Sequence, residues 1–219
     1  MAKKKIGVLL SGCGVFDGSE IHEAVLTLLF IEQKGAEAFC MAPDIPQAEV
    51  INHMTQEKMD DKRNVLIESA RIARGNITDI QKVSARDLDA LILPGGFGAA
   101  KNLCDFAFKG PDGKVFEQVQ RLVDEMLASK KPVGALCIAP VTVAMAMWNK
   151  SPEVTVGSDA GVIGALGAIG ARHKSCSVGE INVDEANKVV TTPAYMLGPG
   201  IKDIAVGIEK LVDKVIALA

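Results

Sequence analysis

The feature that most constrains the fold is a series of short, largely apolar runs alternating with longer segments of helical period. Lys5 to Leu10 (KIGVLL), Ala36 to Ala42 (AEAFCMA), Ala90 to Leu93 (ALIL) and Pro132 to Leu136 (PVGAL) are too short for core helices and read as buried strands. After the first run, Ile21, Ala24, Val25, Leu28 and Leu29 recur at helical spacing until Gly35, with Asp17 backed by Glu20 three positions on, or Ser19 alone, as the candidate N-cap. Asn64 to Arg74, Val115 to Ser129 and Ala139 to Met147 also read as helices. Glu153 to Val156 reads as a short strand, Ala160 to Gly170 as a small-residue helix packed close to its neighbours, and Gly179 to Val183 and Lys188 to Thr192 as two more strands. Ile201, Ile204, Ala205, Ile208, Leu211, Val212 and Val215 then form the core stripe of a closing helix. Strands alternating with helices require a mostly parallel sheet covered on both faces, an α/β fold. The 219 residues fit one domain, 1–219, with a small polar excursion near 44–63 that reads as a surface hairpin.

Composition removes several function classes. A net charge of −3 with dispersed basic residues gives no footprint for nucleic acid, and no apolar run reaches membrane-spanning length. Without a signal-peptide apolar region ahead of the first strand, the expected compartment is the cytoplasm. Five cysteines with no CxxC spacing predict free thiols and no zinc site, and the scattered His22, His53 and His173 form no metal cluster. Gly12 and Gly14 make a G-x-G after a strand, but Asp17 stands where the third glycine of a dinucleotide fingerprint would be.

In an open α/β sheet, ligands bind beyond the carboxyl ends of the strands. Three features fall there. Cys137 lies at a strand-to-helix corner, where a side chain is presented at the top of the sheet beside helix N–H groups that favour a thiolate; Pro140 suits the first turn of that helix. The competing reading is a buried cysteine acting as a small hydrophobe. Pro94-Gly95-Gly96-Phe97-Gly98 ends another strand with backbone able to turn tightly or donate N–H groups. Glu23 stands early in the first helix, either facing this cleft or serving as a dipole-favoured carboxylate.

At SGCGVFDGSEIHEAV (11 to 25), PGGFGAAKNL (94 to 103), CIAP (137 to 140) and VTTPAYM (190 to 196), the chain resembles the ElbB branch of the PfpI-like, class I glutamine amidotransferase-like superfamily. The resemblance runs from the first strand to the last helix. It implies a flavodoxin-like three-layer sandwich with a nucleophile elbow at Cys137, Glu23 hydrogen-bonded to the sulfur, and an oxyanion hole from the N–H groups of Gly96 and Ile138. It further implies a link to isoprenoid biosynthesis and a weak, cofactor-independent and metal-free glyoxalase activity, a lyase turning glyoxal, a small aldehyde, into glycolate. Relatives in the superfamily are commonly homodimers, which sets the expected assembly.

Two departures narrow the reading. Protease-like members place a histidine directly after the nucleophile, where this chain has Ile138, and His173 lacks the acid-paired motif of the amidotransferases. His22 adjoins Glu23, but consecutive helical residues point about 100° apart, which directs it away from the cleft. The expectation is therefore a glutathione-independent glyoxalase. The alternative is a non-enzymatic redox- or electrophile-sensing or partner-binding stress protein that uses the same thiol.

Overall fold

The computed structural model describes residues 3–219. In chain order, β1 (Lys5–Leu9) leads to α1 (Ile21–Gln33) and β2 (Glu37–Ala42), and then to a hairpin of β3 (Val50–Ile51) and β4 (Lys58–Met59), α2 (Val65–Ile72) and the short β5 (Thr78–Asp79). β6 (Ala90–Leu93) is followed by α3 (Phe97–Lys101), α4 (Phe106–Lys109) and α5 (Glu117–Ala128). β7 (Val133–Leu136), α6 (Ala139–Ala146), β8 (Glu153–Val154), α7 (Ala160–Ile169), β9 (Arg172–His173), β10 (Asn182–Asp184), β11 (Val189–Thr192) and α8 (Ile201–Leu218) complete the chain.

Seven strands form one sheet in the order β10-β11-β7-β6-β1-β2-β5, parallel throughout except for the antiparallel β10–β11 pair. The register sets Gly7 beside Phe39 and Leu91, and Leu93 beside Ala135, so the central strands end together. Because side chains alternate across a strand, one sheet feeds two cores. Leu9, Leu91, Leu93, Val133 and Ala135 pack on one face with α5 and α6, while Ile6, Val8, Ile92 and Val190 pack on the other with α1 and α8. The result is the expected helix–sheet–helix sandwich. The excursion is the β3–β4 hairpin, pinned from below by Asp17 Oδ2, which accepts from the Ile51 N–H at 2.7 Å.

Local readings needed correction in four places. Neither Asp17 nor Ser19 caps α1: the N-cap is Glu20, whose Oε2 accepts from the Glu23 N–H at 2.7 Å, while the Ser19 hydroxyl accepts from the Ser11 N–H. The stripe expected to bury α1 is turned partly outward; Ile21, Val25 and Leu29 are exposed, and Glu23, Ala24, Thr27, Phe30 and Ile31 are buried. α7 is less embedded than its small residues implied, with Leu166 its one fully buried side chain. Ile201 stays at the surface at the first position of α8.

Candidate active site

The corner after β7 is a tight one. Cys137 has a positive φ of 62°, which a non-glycine residue adopts only under restraint, and its N–H donates to Thr192 O at 3.0 Å across the end of β11. Ile138 is the N-cap of α6 and Pro140 lies in that helix's first turn, where a missing N–H leaves nothing unsatisfied. The side chain so presented is 7% exposed.

Facing it are the Gly95–Gly96 turn and the first helix. A Cβ at Gly95 would collide with Cys137 Cβ and stand 2.6 Å from Glu23 Oε2, so only glycine lets the three groups meet. Gly96, with φ 92°, turns the chain into α3. The loop after β1 is bound to this turn: Glu20 N–H donates to Gly95 O at 2.9 Å, Gly98 N–H to Gly18 O at 2.9 Å, and the Asn102 side-chain amide to both Ser11 O and Asp17 O. The start of α1 is thereby fixed against the end of β6.

Glu23 is completely buried and its carboxyl is held at both oxygens. Gly95 N–H donates to Oε2 at 3.0 Å, and Tyr195 N–H donates to Oε1 at 3.2 Å from a 3-10 turn in which Ala194 takes a positive φ of 42°. Burial, with the nearby Glu20 carboxyl adding to it, raises the Glu23 pKa to about 8 despite these donors and a hydrogen bond with Cys137. The thiol is affected in the same direction. Burial, then the Glu23 carboxyl, push its pKa well above the ordinary value, against the hydrogen bonds that the Gly96 and Ile138 N–H groups make to the sulfur. The expected stabilisation of a thiolate is present in those two donors but is outweighed. The two groups titrate as a coupled pair.

The structure therefore brings Glu23, Gly96, Cys137 and Ile138 to one point, gives Gly95 of the expected N–H-donating turn a partner in Glu23, and adds one residue to which sequence reasoning gave no role, Tyr195. Gly95 donates to the carboxylate, and Tyr195 supplies the second donor from a loop distant in sequence; the Pro193–Tyr195 turn after a strand was the available signal. The histidines stay off the Glu23–Cys137 pair. His22 Nδ1 hydrogen-bonds Tyr195 Oη at 2.8 Å, His53 lies by Asp17 and Phe16, and His173 is on β9. The other four cysteines are free thiols elsewhere. A cavity of ≈ 430 Å³ opens beside the Cys137 sulfur, walled by Phe97, Phe106, Ile138, Val162 and Met196, with Asp159 and Tyr195 at its edge. Among the described residues no group of His, Cys, Asp and Glu side chains is placed to hold a metal ion, and no helix is long and apolar enough to cross a membrane.

A cysteine on an elbow at the end of a parallel strand, backed by a carboxyl from the first helix, defines an α/β protein of the PfpI-like, glutamine amidotransferase-like class. A ThiJ/PfpI domain protein from Brachyspira murdochii shares the fold alone, with a TM-score of 0.58 and 14% identity covering 99% of this chain and 97% of that one. The nearer likeness is to the isoprenoid biosynthesis protein with amidotransferase-like domain from Ehrlichia chaffeensis, with a TM-score of 0.92, 33% identity, and coverage of 98% of this chain and 99% of that one. The chain belongs to the ES1 family. It is 47% identical to the ES1 protein homolog, mitochondrial, of Rattus norvegicus over 99% of this chain and 84% of the relative. It is also 47% identical to the Homo sapiens glutamine amidotransferase-like class 1 domain-containing protein 3, mitochondrial, over 98% and 83%. No protein-family model matches the chain. These names overturn the cytoplasmic expectation, because the relatives are described as mitochondrial. A secretory apolar region is one targeting device among several, so looking for it does not distinguish cytoplasm from organelle.

Proposed function

We propose that the chain is a glutathione-independent glyoxalase of small capacity that converts glyoxal to glycolate. The observation that carries the reading is the fully buried Glu23 carboxyl, its pKa lifted to about 8, in contact with the elbow thiol beside two backbone N–H groups. A carboxyl group poised near neutrality both accepts and returns a proton, as the reaction requires. The thiol adds to one aldehyde carbon: Glu23 takes the S–H proton, the C–S bond forms, and the carbonyl electron pair moves onto oxygen near the Gly96 and Ile138 N–H groups. Glu23 returns the proton to that oxygen, giving a hemithioacetal. It next removes the C–H proton from the sulfur-bearing carbon and delivers it to the neighbouring carbon through an enediol. The product is a hydroxymethyl thioester, which water hydrolyses to glycolate and the free thiol. The carbon bound to sulfur is oxidised and its neighbour reduced, so no outside oxidant or reductant enters. A thiol with a raised pKa is consistent with low capacity. The same property weakens the sensor reading, which calls for an accessible thiol of low pKa, whereas Cys137 is buried with its pKa raised.

The test is glycolate formation from glyoxal in the absence of glutathione. Wild type forms glycolate, Cys137→Ala does not, and Glu23→Gln falls by about 10²–10⁴-fold, the usual contribution of a positioned acid–base group. Absence of glycolate from wild type overturns the proposal.

A further inference from the structure

Consecutive residues of a helix point about 100° apart, so His22 and Glu23 leave α1 in different directions. Tyr195 nevertheless reaches both. Its N–H donates to Glu23 Oε1 at 3.2 Å, inside the cleft, and its Oη is hydrogen-bonded to His22 Nδ1 at 2.8 Å, outside it, where the two rings lie 5.9 Å apart. The His22 side chain is 54% exposed, whereas Glu23 is completely buried. Among the described residues no other hydrogen bond joins the 3-10 turn Ala194–Met196 to α1. The remaining bonds of the turn are local: Met196 N–H donates to Pro193 O, and the Leu197 and Gly198 N–H groups donate to Ala194 O. They shape the turn without anchoring it. Ala194, with its φ of 42°, is strained and relaxes once an anchor is removed.

We infer that His22 is a positioning residue of this site: it holds the Tyr195 hydroxyl from outside the cleft and thereby fixes the Tyr195 N–H on the Glu23 carboxyl. The Glu20 carboxyl, 3.9 Å from His22 Nδ1, is too far for a hydrogen bond, which leaves Nδ1 to the tyrosine. The groups that face the Glu23 carboxyl are the Gly95 and Tyr195 N–H donors, the Cys137 thiol and Glu20. Gly95 is fixed at the end of β6; Tyr195 is the donor whose place depends on a side chain at the surface. A donor to a carboxylate favours its ionised form, so loosening the Tyr195 N–H carries the Glu23 pKa further up from about 8. The inference rests on the proposed reading in one respect, that Glu23 is the proton carrier. His22 exchanges no proton with substrate and acts through Tyr195.

The test follows the Glu23 carboxyl by infrared titration, with Glu23→Gln assigning its band. Tyr195→Phe removes the hydroxyl and keeps the ring, His22→Ala removes its partner, and His22→Asn keeps a hydrogen-bonding group near the place of Nδ1. In Tyr195→Phe and in His22→Ala the midpoint should rise by about one pH unit, roughly the worth of one hydrogen bond to a charged group. It should rise no further when the two are combined, and should return toward the wild-type value in His22→Asn. Unchanged midpoints in both single variants, with or without a loss of stability, overturn the inference and make His22 a structural contact; so does a rise that His22→Asn does not reverse. Glycolate formation is measured in parallel, and the ascending limb of kcat against pH should move up with the midpoint, since the ionised carboxyl is the base. Shifted midpoints without glycolate from wild type overturn the glyoxalase reading and uphold the positioning role. Glycolate with unmoved midpoints overturns the positioning role and leaves the glyoxalase reading standing.

Discussion

α1 and α5 lie on opposite faces of the same sheet and obey opposite rules. α5 buries Val119, Leu122, Val123 and Met126 and leaves Glu117 and Asp124 to water, the ordinary division of an amphipathic helix. α1 buries a carboxyl group and a hydroxyl, Glu23 and Thr27, while Ile21, Val25 and Leu29 are 42%, 49% and 43% exposed. Rotating α1 to bury that stripe would carry Glu23 away from Cys137. The difference shows which helix serves the core alone and which also serves the site. α5 is placed by area removed from water, whereas α1 is placed by the hydrogen bonds from Gly95 and Tyr195 to its carboxyl, together with Ala24, Phe30 and Ile31.

The largest expected effect lies on α5. Leu122 is fully buried, and Leu122→Ala should cost about 2–5 kcal/mol by lost transfer energy and the cavity left behind. Denaturant melts measure this, and the loss should be the same at pH 5 and pH 8. A loss that depended on pH would place a titrating group in that core and blur the contrast.

Glu23 should behave in the other way. Its carboxyl ionises at about 4.5 in the unfolded chain and at about 8 in the folded one, so between those values the unfolded state sheds its proton first. The stability contributed by the neutral, buried group is full below pH 4.5 and declines as pH rises to about 8. Over that window wild type should lose on the order of a few kcal/mol, while Glu23→Gln, which does not titrate, should lose less. Stability curves for the two proteins that ran parallel from pH 4.5 to 8 would show that Glu23 is not buried neutral, and the contrast between the helices would fail.

The smallest effect belongs to the outward stripe. Val25→Ser on the exposed face should change stability by no more than about 0.5 kcal/mol, the usual range for surface positions. A larger loss that depended on protein concentration would show the face covered in solution by a second copy, the homodimer expected from the sequence resemblance.

What was legible in the sequence follows the same division. The strand at Ala90 to Leu93 and the helix around Val119 to Met126 could be read directly, because composition and period alone decide where such elements go. The elbow was legible too, since a short apolar run, a cysteine and a proline in the next helical turn specify a corner. α1 misled because its apolar positions suit helical burial, and the forces that override them come from far along the chain: a backbone N–H at Gly95 and another at Tyr195. Asp17 misled for a similar reason. It resembles an N-cap, yet it accepts from Ile51 and holds the hairpin. The direction of the Cys137 pKa could not be read at all, because it depends on how completely the sulfur is enclosed and on the carboxyl placed beside it.

Cys137 and Ala194 are both non-glycine residues with positive φ, at 62° and 42°, and one presents the sulfur while the other leads into the N–H that holds Glu23. Such conformations cost about 1–3 kcal/mol each and persist only where the surroundings dictate them. That cost falls once in the life of the molecule, when the sheet and its loops assemble. Every later encounter with a ligand meets sulfur, carboxyl and donors already in line. The chain thus carries the entropy of alignment as a permanent debit against its own stability, and each arriving molecule is spared it.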